Sequence, residues 1–350
     1  QRQNWTAAPW DDREDLEVAM VIPETADTAT IAFRSPTGAW FDYQPGQFLT
    51  LELPVAGGPL LRTYTISSSP SRPMSISITV KAQPGSIGTR WMLDNLKPGM
   101  RIKAHGPAGQ FTFLRHPAKK HLFISAGSGI TPMMSMTMWA WDSGEMPDIA
   151  FVHAARKPAD IIFKRRLEQF ASRVPGLQLR FTVEEVDPFE VWSGFRGRLS
   201  QIMLGLMAPD YLDREVFCCG PEPFMRSVRE MLASLGYDMA RYHEESFAAP
   251  ALEEMPVETA APVAASEITF TASGKTVTCD GTETVLAVAK RAGLNIPSSC
   301  NFGLCGTCKV QKTDGEVVMV HNGGISDDEI ASGMILACCS RPQGSVAIAV

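Results

Sequence analysis

Between residues 17 and 115, short runs of alternating or β-branched residues recur: TATIAFRSP, QFLTLEL, RTYTISS, SISITVKA and MRIKAHGP, bounded by Gly and Pro. A period of two marks strands with one buried face, and several at close intervals predict a small antiparallel barrel. GTRWMLDNLKPG breaks the rhythm as one helix stopped by Pro and Gly. From about residue 119 strands and helices alternate. KHLFISAGSGI is a buried strand running into a Gly turn, and TPMMSMTMWAWDSG starts a helix with Thr131 as N-cap and Pro132 at the first helical position. DIAFVHAAR, KRRLEQFASR, LQLRFTVEE, EVFCCGPEP and FMRSVREMLASLG continue the alternation, which predicts a parallel α/β sheet. Residues 248–265, rich in Ala, Pro and Glu, read as an extended, semi-stiff linker. Beyond it, EITFTASGKTVTC forms a strand pair around a Ser-Gly turn, followed by the helix ETVLAVAKRAG, a Cys-rich loop and further strands. The chain therefore divides into 1–115, 116–247, the linker 248–265, and 266–350.

Composition narrows the function. The length of 350 residues calls for two or three domains, and 45% hydrophobic with 20% charged residues is ordinary for a water-exposed globular protein. A net charge of −6 argues against nucleic acid as partner, since phosphate binding needs clustered Lys and Arg. No run approaches the length of a membrane span, and QRQNWTAAPWDDREDLEV has no apolar core of a signal peptide. The eight cysteines are bunched rather than spread through a small secreted domain, which suits a reducing, cytoplasmic compartment and a metal site.

The candidate chemistry lies in four stretches. In CNFGLCGTCKV the spacing is Cys300-x4-Cys305-x2-Cys308, with Cys338 or Cys339 of ILACCSRP as a distant fourth thiol. This is the spacing of plant-type [2Fe–2S] clusters, with Gly303 and Gly306 letting the loop turn its N–H groups inward. Structural zinc would want two short knuckles, and a Rieske centre two His ligands, neither of which is present. If 338 and 339 lie in a strand, only one of them faces the cluster. In SAGSGITP, Gly127 and Gly129 sit where a bare backbone admits a pyrophosphate, although Pro132 takes the place of a last Gly; the alternative is a plain βα turn. CCGPEP ends a later strand, where Cys219 can meet a nicotinamide ring or simply close the strand as a small apolar residue. In RTYTISSSP, Arg62 offers a phosphate fork, Tyr64 a stacking face and Thr65 a hydroxyl for a ring nitrogen; the bland alternative is three half-exposed strand residues.

Together and in this order, these motifs resemble the ferredoxin–NADP reductase superfamily over roughly residues 17–350, and within it the members built as flavin barrel, NAD(P) domain and C-terminal plant-type ferredoxin. The resemblance implies a multidomain fold: an antiparallel β-barrel for flavin, a parallel α/β nucleotide domain and an α+β β-grasp ferredoxin domain. It implies that Arg62 binds flavin phosphate, Tyr64 packs on the isoalloxazine and Thr65 lies near N5, while Gly88 and Thr89 of PGSIGT hold the pyrophosphate. Gly127, Gly129, Thr131 and Pro132 would line the nucleotide groove, with Cys219, Gly220 and Pro221 beside the nicotinamide. Glu245 and Phe247 of HEESF would cover the flavin, and Cys338 would complete the cluster with Cys300, Cys305 and Cys308. FAD fits the motifs better than FMN, and NADH better than NADPH, although Arg156 and Lys157 could serve a 2′-phosphate.

The implied activity is electron transfer from NADH through FAD and the [2Fe–2S] cluster to a separate Rieske-type oxygenase, of the kind that demethylates quaternary amines such as glycine betaine. Thr65, Cys219 and Phe247 would act at the hydride-transfer site of a chain monomeric by itself. Related reductases serve hybrid-cluster protein or phenylacetyl-CoA epoxygenase. Two further alternatives are a zinc-bearing binding module and a flavin reductase with a cluster-free tail. The six histidines read as solvated or packing residues without partners, and Asp327, Asp328 and Glu329 as a docking face or a solvated turn.

Overall fold

The structure, a computed structural model, describes residues 8–56, 58–83, 85–144, 147–247, 266–298, 303, 306–321 and 324–350. Three domains follow one another. The first holds β1 (Leu16–Thr25), β2 (Thr28–Arg34), β3 (Phe48–Val55), β4 (Gly58–Thr65), β5 (Ile76–Lys81), α1 (Ile87–Asn95) and β6 (Arg101–Ala108). Its strands form one antiparallel sheet in the order β4-β3-β6-β1-β2-β5. Ile66, just past β4, bridges Ile78 of β5 and closes the sheet on itself. The inward set Leu49, Leu51, Leu53, Ile31, Phe33 and Ile78 fills the barrel, as the period-two pattern requires. β1 escaped that pattern because register shifts at Val18/Met20 and Pro23/Thr25 break its alternation.

The second domain contains β7 (Lys120–Ala126), α2 (Ile130–Ser143), β8 (Asp148–Ala155), α3 (Lys164–Ala171), β9 (Leu177–Val183), β10 (Phe195–Arg196), α4 (Gln201–Met207), β11 (Glu215–Cys219), α5 (Glu222–Ser234) and β12 (Tyr242–Glu245). All strand pairings are parallel, in the order β10-β9-β8-β7-β11-β12. Both faces are covered: Phe123, Phe151, Phe217 and the α2 methionines on one side, Leu122, Ile124, Val152 and Val216 on the other. The short elements α4, β10 and β12 lack a sequence pattern. α4 is a seven-residue helix held by the Ser200 cap, which accepts from the Met203 N–H. β12 is the polar tetrapeptide YHEE, a strand only because β11 offers it an edge.

The third domain has β13 (Ser266–Phe270), β14 (Lys275–Cys279), α6 (Val285–Arg291), β15 (Lys309–Met319), α7 (Asp327–Ala331), β16 (Met334–Leu336) and β17 (Ser340–Ile348). The sheet order β14-β13-β17-β15-β16 is mixed, with β13 and β17 parallel and the other pairs antiparallel. Val285, Val288 and Ala289 of α6 complete a core with Ile268, Phe270 and Ile348.

The parallel sheet is pinned at the start of its strands by Arg214, only 1% exposed. Its guanidinium donates to both carboxylate oxygens of Asp210 (2.7 and 3.1 Å), to Asp148 Oδ1 (2.9 Å) and to the carbonyls of His121 (3.1 Å) and Asp148 (3.2 Å). Removing it takes five donated bonds from two carboxylates and two carbonyls, although Lys120 stays on Asp210 at 2.8 Å and Gln178 on Asp148 at 3.4 Å. Arg214→Met is therefore expected to cost about 2–3 kcal/mol, less than a fully enclosed pair because the aspartates are a third exposed. Urea unfolding followed by circular dichroism measures this, and an unchanged midpoint would contradict it.

Candidate functional site

In the parallel sheet the chain order runs outward in opposite directions from β7 and β11, and at such a switch point the carboxyl ends of strands open a crevice. Two turns meet there. A Cβ on Gly129 would lie 2.1 Å from the Cys219 carbonyl oxygen and 2.7 Å from the Gly220 nitrogen, so only glycine allows the approach. Gly127–Gly129 form one 3-10 turn, and α2 begins at Ile130 with Gly129 as its N-cap. The expectation of Thr131 as cap is corrected: Thr131 is already helical, and its hydroxyl donates to the Ser128 carbonyl at 3.0 Å. Pro132, expected at the first helical position, is the third, still within the first turn, where its missing N–H costs nothing. Gly220 packs on Ala126, and Pro221 opens α5.

A buried row crosses the sheet at this level. Glu245 pairs with Cys219, Cys219 with Ser125, and Ser125 with His153, so the side chains share one face. Ser125 Oγ lies 2.9 Å from His153 Nδ1, while His153 Nε2 has no partner. Burial drives the His153 imidazole down to about 3, and it is therefore neutral. The Cys219 thiol is pushed far up by burial and by the neighbouring Glu245, which leaves it protonated rather than nucleophilic.

The barrel closes this crevice. Thr65, at the end of β4, donates to Glu245 Oε2 at 3.3 Å, and both side chains are buried. Arg62 and Tyr64 share the other face of β4 with their cross-strand neighbours Leu51 and Leu49, so the three residues of RTYT divide between two faces. Arg62 is exposed, and the Tyr64 hydroxyl is buried without a partner. Gly88 sits under Arg62: a Cβ there would come within 3.3 Å of Arg62 Cγ. Thr89 hydrogen-bonds Ser86, the N-cap of α1, whose first turn carries no acidic residue. Phe247, two residues past Glu245, is 46% exposed.

In the third domain Cys308 and Cys338 are buried, and the Cys338 N–H donates to Cys308 Sγ at 3.4 Å. Cys338 and Cys339 lie in the turn between β16 and β17, not in a strand, so strand alternation does not choose between them. The Cys339 thiol is directed at the Leu336 carbonyl, 3.7 Å away, and against Gly303. Gly303 and Gly306 have φ of 75° and 71°, the left-handed region that side chains avoid. Cys300, Cys305, the tether 248–265 and the Asp327 side chain lie outside the described residues. Glu329 caps α7 through Ser326 and pairs with Lys309. Thr307 Oγ1 donates to Thr50 Oγ1 on β3 at 3.3 Å, which sets the Cys308 loop against the barrel.

Three family models match in the order of these domains: an oxidoreductase FAD-binding domain at residues 15–113, an oxidoreductase NAD-binding domain at 123–230 and a 2Fe-2S iron-sulfur cluster binding domain at 268–343. The stachydrine N-demethylase reductase subunit of Rhizobium meliloti is 60% identical over 342 residues, 97% of each chain. The chain belongs to the three-domain flavin and [2Fe–2S] reductases of the ferredoxin–NADP reductase superfamily. Among these reductases, the glycine betaine monooxygenase reductase subunit of Pseudomonas aeruginosa is 48% identical over 347 residues, covering 96% of this chain and 95% of its own. Phthalate dioxygenase reductase shares the fold at a TM-score of 0.60 and 23% identity, covering 97% of this chain and all of its own. An intact type IV self-sufficient cytochrome P450 monooxygenase gives a TM-score of 0.72 at 23% identity over the whole chain, which spans 43% of that larger structure. The protein is thus an NAD(P)H-dependent oxidoreductase with FAD-, NAD- and [2Fe–2S]-binding domains, a reductase component passing electrons to an oxygenase.

The residues of this reductase fit its cofactors. The orphaned Tyr64 hydroxyl, the uncapped first turn of α1 beneath Arg62 and the side-chain-free turn at Gly129 are a polar tip, an anion site and a backbone cradle. A paired thiol and amide beside left-handed glycines suit a cluster whose sulfurs accept N–H bonds. Ser125 and His153 were invisible in the sequence, because two residues twenty-eight positions apart meet only through sheet register. The reading of all histidines as partnerless is corrected too, since His243 bonds Glu215 at 2.7 Å as well.

Burial raises the Glu245 carboxyl from 4.5 to about 8, against a smaller downward pull from Thr65. The folded protein then holds this proton more tightly than the unfolded chain. The stabilisation is complete below 4.5 and disappears as pH rises through 8. Glu245→Gln should remove a slope of up to about 1.4 kcal/mol per pH unit over that window, seen as a flatter melting-temperature profile from about pH 5 to about pH 8. Parallel profiles for the two proteins would show the carboxyl to be ionised throughout.

Proposed function

We propose that this protein is the NADH-dependent reductase component of a Rieske-type oxygenase acting on a small quaternary amine, of the glycine betaine and stachydrine kind. The closeness of Thr307, neighbour of Cys308, to the flavin-domain strand pair β3–β4 carries the reading, since it brings both carriers' binding elements together. The names of the two relatives supply the substrate class. When bound, the flavin accepts hydride from reduced nicotinamide and releases electrons singly to the cluster.

The chain's own residues position these groups. Arg62, with Gly88 and Thr89 at the start of α1, holds the flavin diphosphate, and Tyr64 packs on the ring system. Thr65 would lie near N5 of the bound flavin, its hydroxyl oriented by donating to Glu245. Gly127, Gly129, Thr131 and Pro132 line the nucleotide groove. Cys219, with Gly220 and Pro221, presents a neutral, compact surface to the nicotinamide, and exposed Phe247 covers the flavin until the nucleotide enters. Cys300, Cys305, Cys308 and Cys338 ligate the iron. FAD rather than FMN fits the diphosphate site, and the FAD-binding family model supports it. One chain supplying every carrier suits a monomer, and the reduced thiols a cluster needs suit the cytoplasm.

The NADH preference rests on charge. Lys157 at the end of β8 has Glu185 Oε2 at 3.7 Å, and the Glu185 N–H donates to the Arg156 carbonyl. A carboxylate there repels a 2′-phosphate and tolerates a 2′-hydroxyl. Glu185→Gln should raise kcat/KM for NADPH relative to NADH about tenfold, the effect of roughly 1.4 kcal/mol; an unchanged ratio places the ribose elsewhere. The proposal as a whole is tested by adding the protein and NADH to the purified oxygenase of a quaternary-amine demethylase. Demethylation coupled to NADH consumption supports it, and oxidation of NADH with no product at any ratio of components contradicts it. In the same assay Cys308→Ser should abolish demethylation while NADH-to-ferricyanide turnover stays within about twofold of wild type.

A further inference from the structure

At the opposite, amino-terminal ends of β11 and β12 lies a second cluster that electron transfer does not use. His116, in the segment leaving the barrel, Glu215 of β11 and His243 of β12 place one donor atom each within 4.8 Å of one another. The two imidazoles stack at 3.6 Å between centroids. His243 Nε2 lies 2.7 Å from Glu215 Oε1, while Arg241 holds the other oxygen at 3.2 Å. The His116 imidazole makes no hydrogen bond among the described residues. Behind the cluster, Phe217 packs against all three of His116, His121 and His243, with centroid distances of 6.0, 6.0 and 4.9 Å. His121, 1% exposed, keeps its Nδ1 without a partner.

We propose that His116, Glu215 and His243 form a binding site for a divalent transition-metal ion of the zinc class, clipping the barrel's exit segment to the parallel sheet. Two imidazoles and a carboxylate suit zinc, and three protein donors leave a position for water. The metal takes Glu215 Oε1 in place of the His243 hydrogen bond, the Nε2 proton passing to the other ring nitrogen or to water, while Arg241 remains on Oε2 to orient the carboxylate from outside. Binding requires the rings, stacked with 25° between their planes, to tilt apart until both nitrogens face the ion. The donors come from three chain segments that folding alone brings together, so the ion binds the native protein and stabilises it by mass action.

The test uses full-length holoprotein, washed with chelator and dialysed against zinc, with zinc and iron measured on the same sample. One zinc per chain beyond an unchanged iron content is expected, with calorimetric affinity weakened at least tenfold in both His116→Ala and Glu215→Gln. Zinc should also raise the melting temperature of the wild type and of neither variant. No zinc in the wild type, or wild-type affinity retained by either variant at full iron content, overturns the proposal.

Discussion

The hydrogen bond from Thr65 to Glu245 joins residues 180 apart in sequence, and the arrangement of the site depends on it. Its acceptor belongs to β12, which exists as a strand only because β11 presents an unpaired edge. Once docked, β12 puts Glu245 level with Cys219, and the barrel must then meet the sheet where Thr65 can reach the carboxyl. Ser135 of α2 donates to the Ser68 carbonyl at 2.6 Å, and the Phe113 N–H contacts Met136 Sδ at 3.4 Å, so buried polar contacts repeat along the seam. The Arg72–Asp142 pair, with its arginine largely exposed, adds at most about 1 kcal/mol. The seam is therefore set by burial and hydrogen bonding rather than by surface charge.

The same burial fixes protonation. Along the row Glu245, Cys219, Ser125 and His153, desolvation favours the uncharged form at each titratable position, by raising the acids and lowering the base. With Cys219 beside the nicotinamide, as proposed, a neutral row would offer it neither a general base nor a competing nucleophile. It leaves hydride transfer as a matter of position, which fits a reaction whose chemistry belongs to the cofactors. Thr307 and Thr50 carry this order towards the third domain, where the amide of Cys338 already points at Cys308.

The architecture was legible wherever periodicity was long or a motif was rigid. Barrel strands such as TATIAFRSP and the helix from TPMMSMTMWAWDSG follow from burial at period two or from start signals, although α2 begins at Ile130, one residue before the expected cap, because Gly129 of the glycine turn takes the N-cap position. The family was readable from thiol spacing and glycine turns, since those constrain the backbone locally. What could not be read depends on register: Ser125 beside His153, Glu215 beside His243, and Arg214 beneath three strands. Strand β12 illustrates the limit, because YHEE has no strand pattern and takes its conformation from its neighbour.

One chain carries electrons from nicotinamide through flavin to a [2Fe–2S] cluster. An anaerobic absorbance titration with NADH, with flavin and iron quantified on the same protein, tests it most directly. About one flavin and two irons per chain are expected, with flavin and cluster bands bleaching together and the endpoint near three electrons. Flavin that bleaches at two electrons while the cluster band persists, or a protein containing zinc in place of iron, would contradict it.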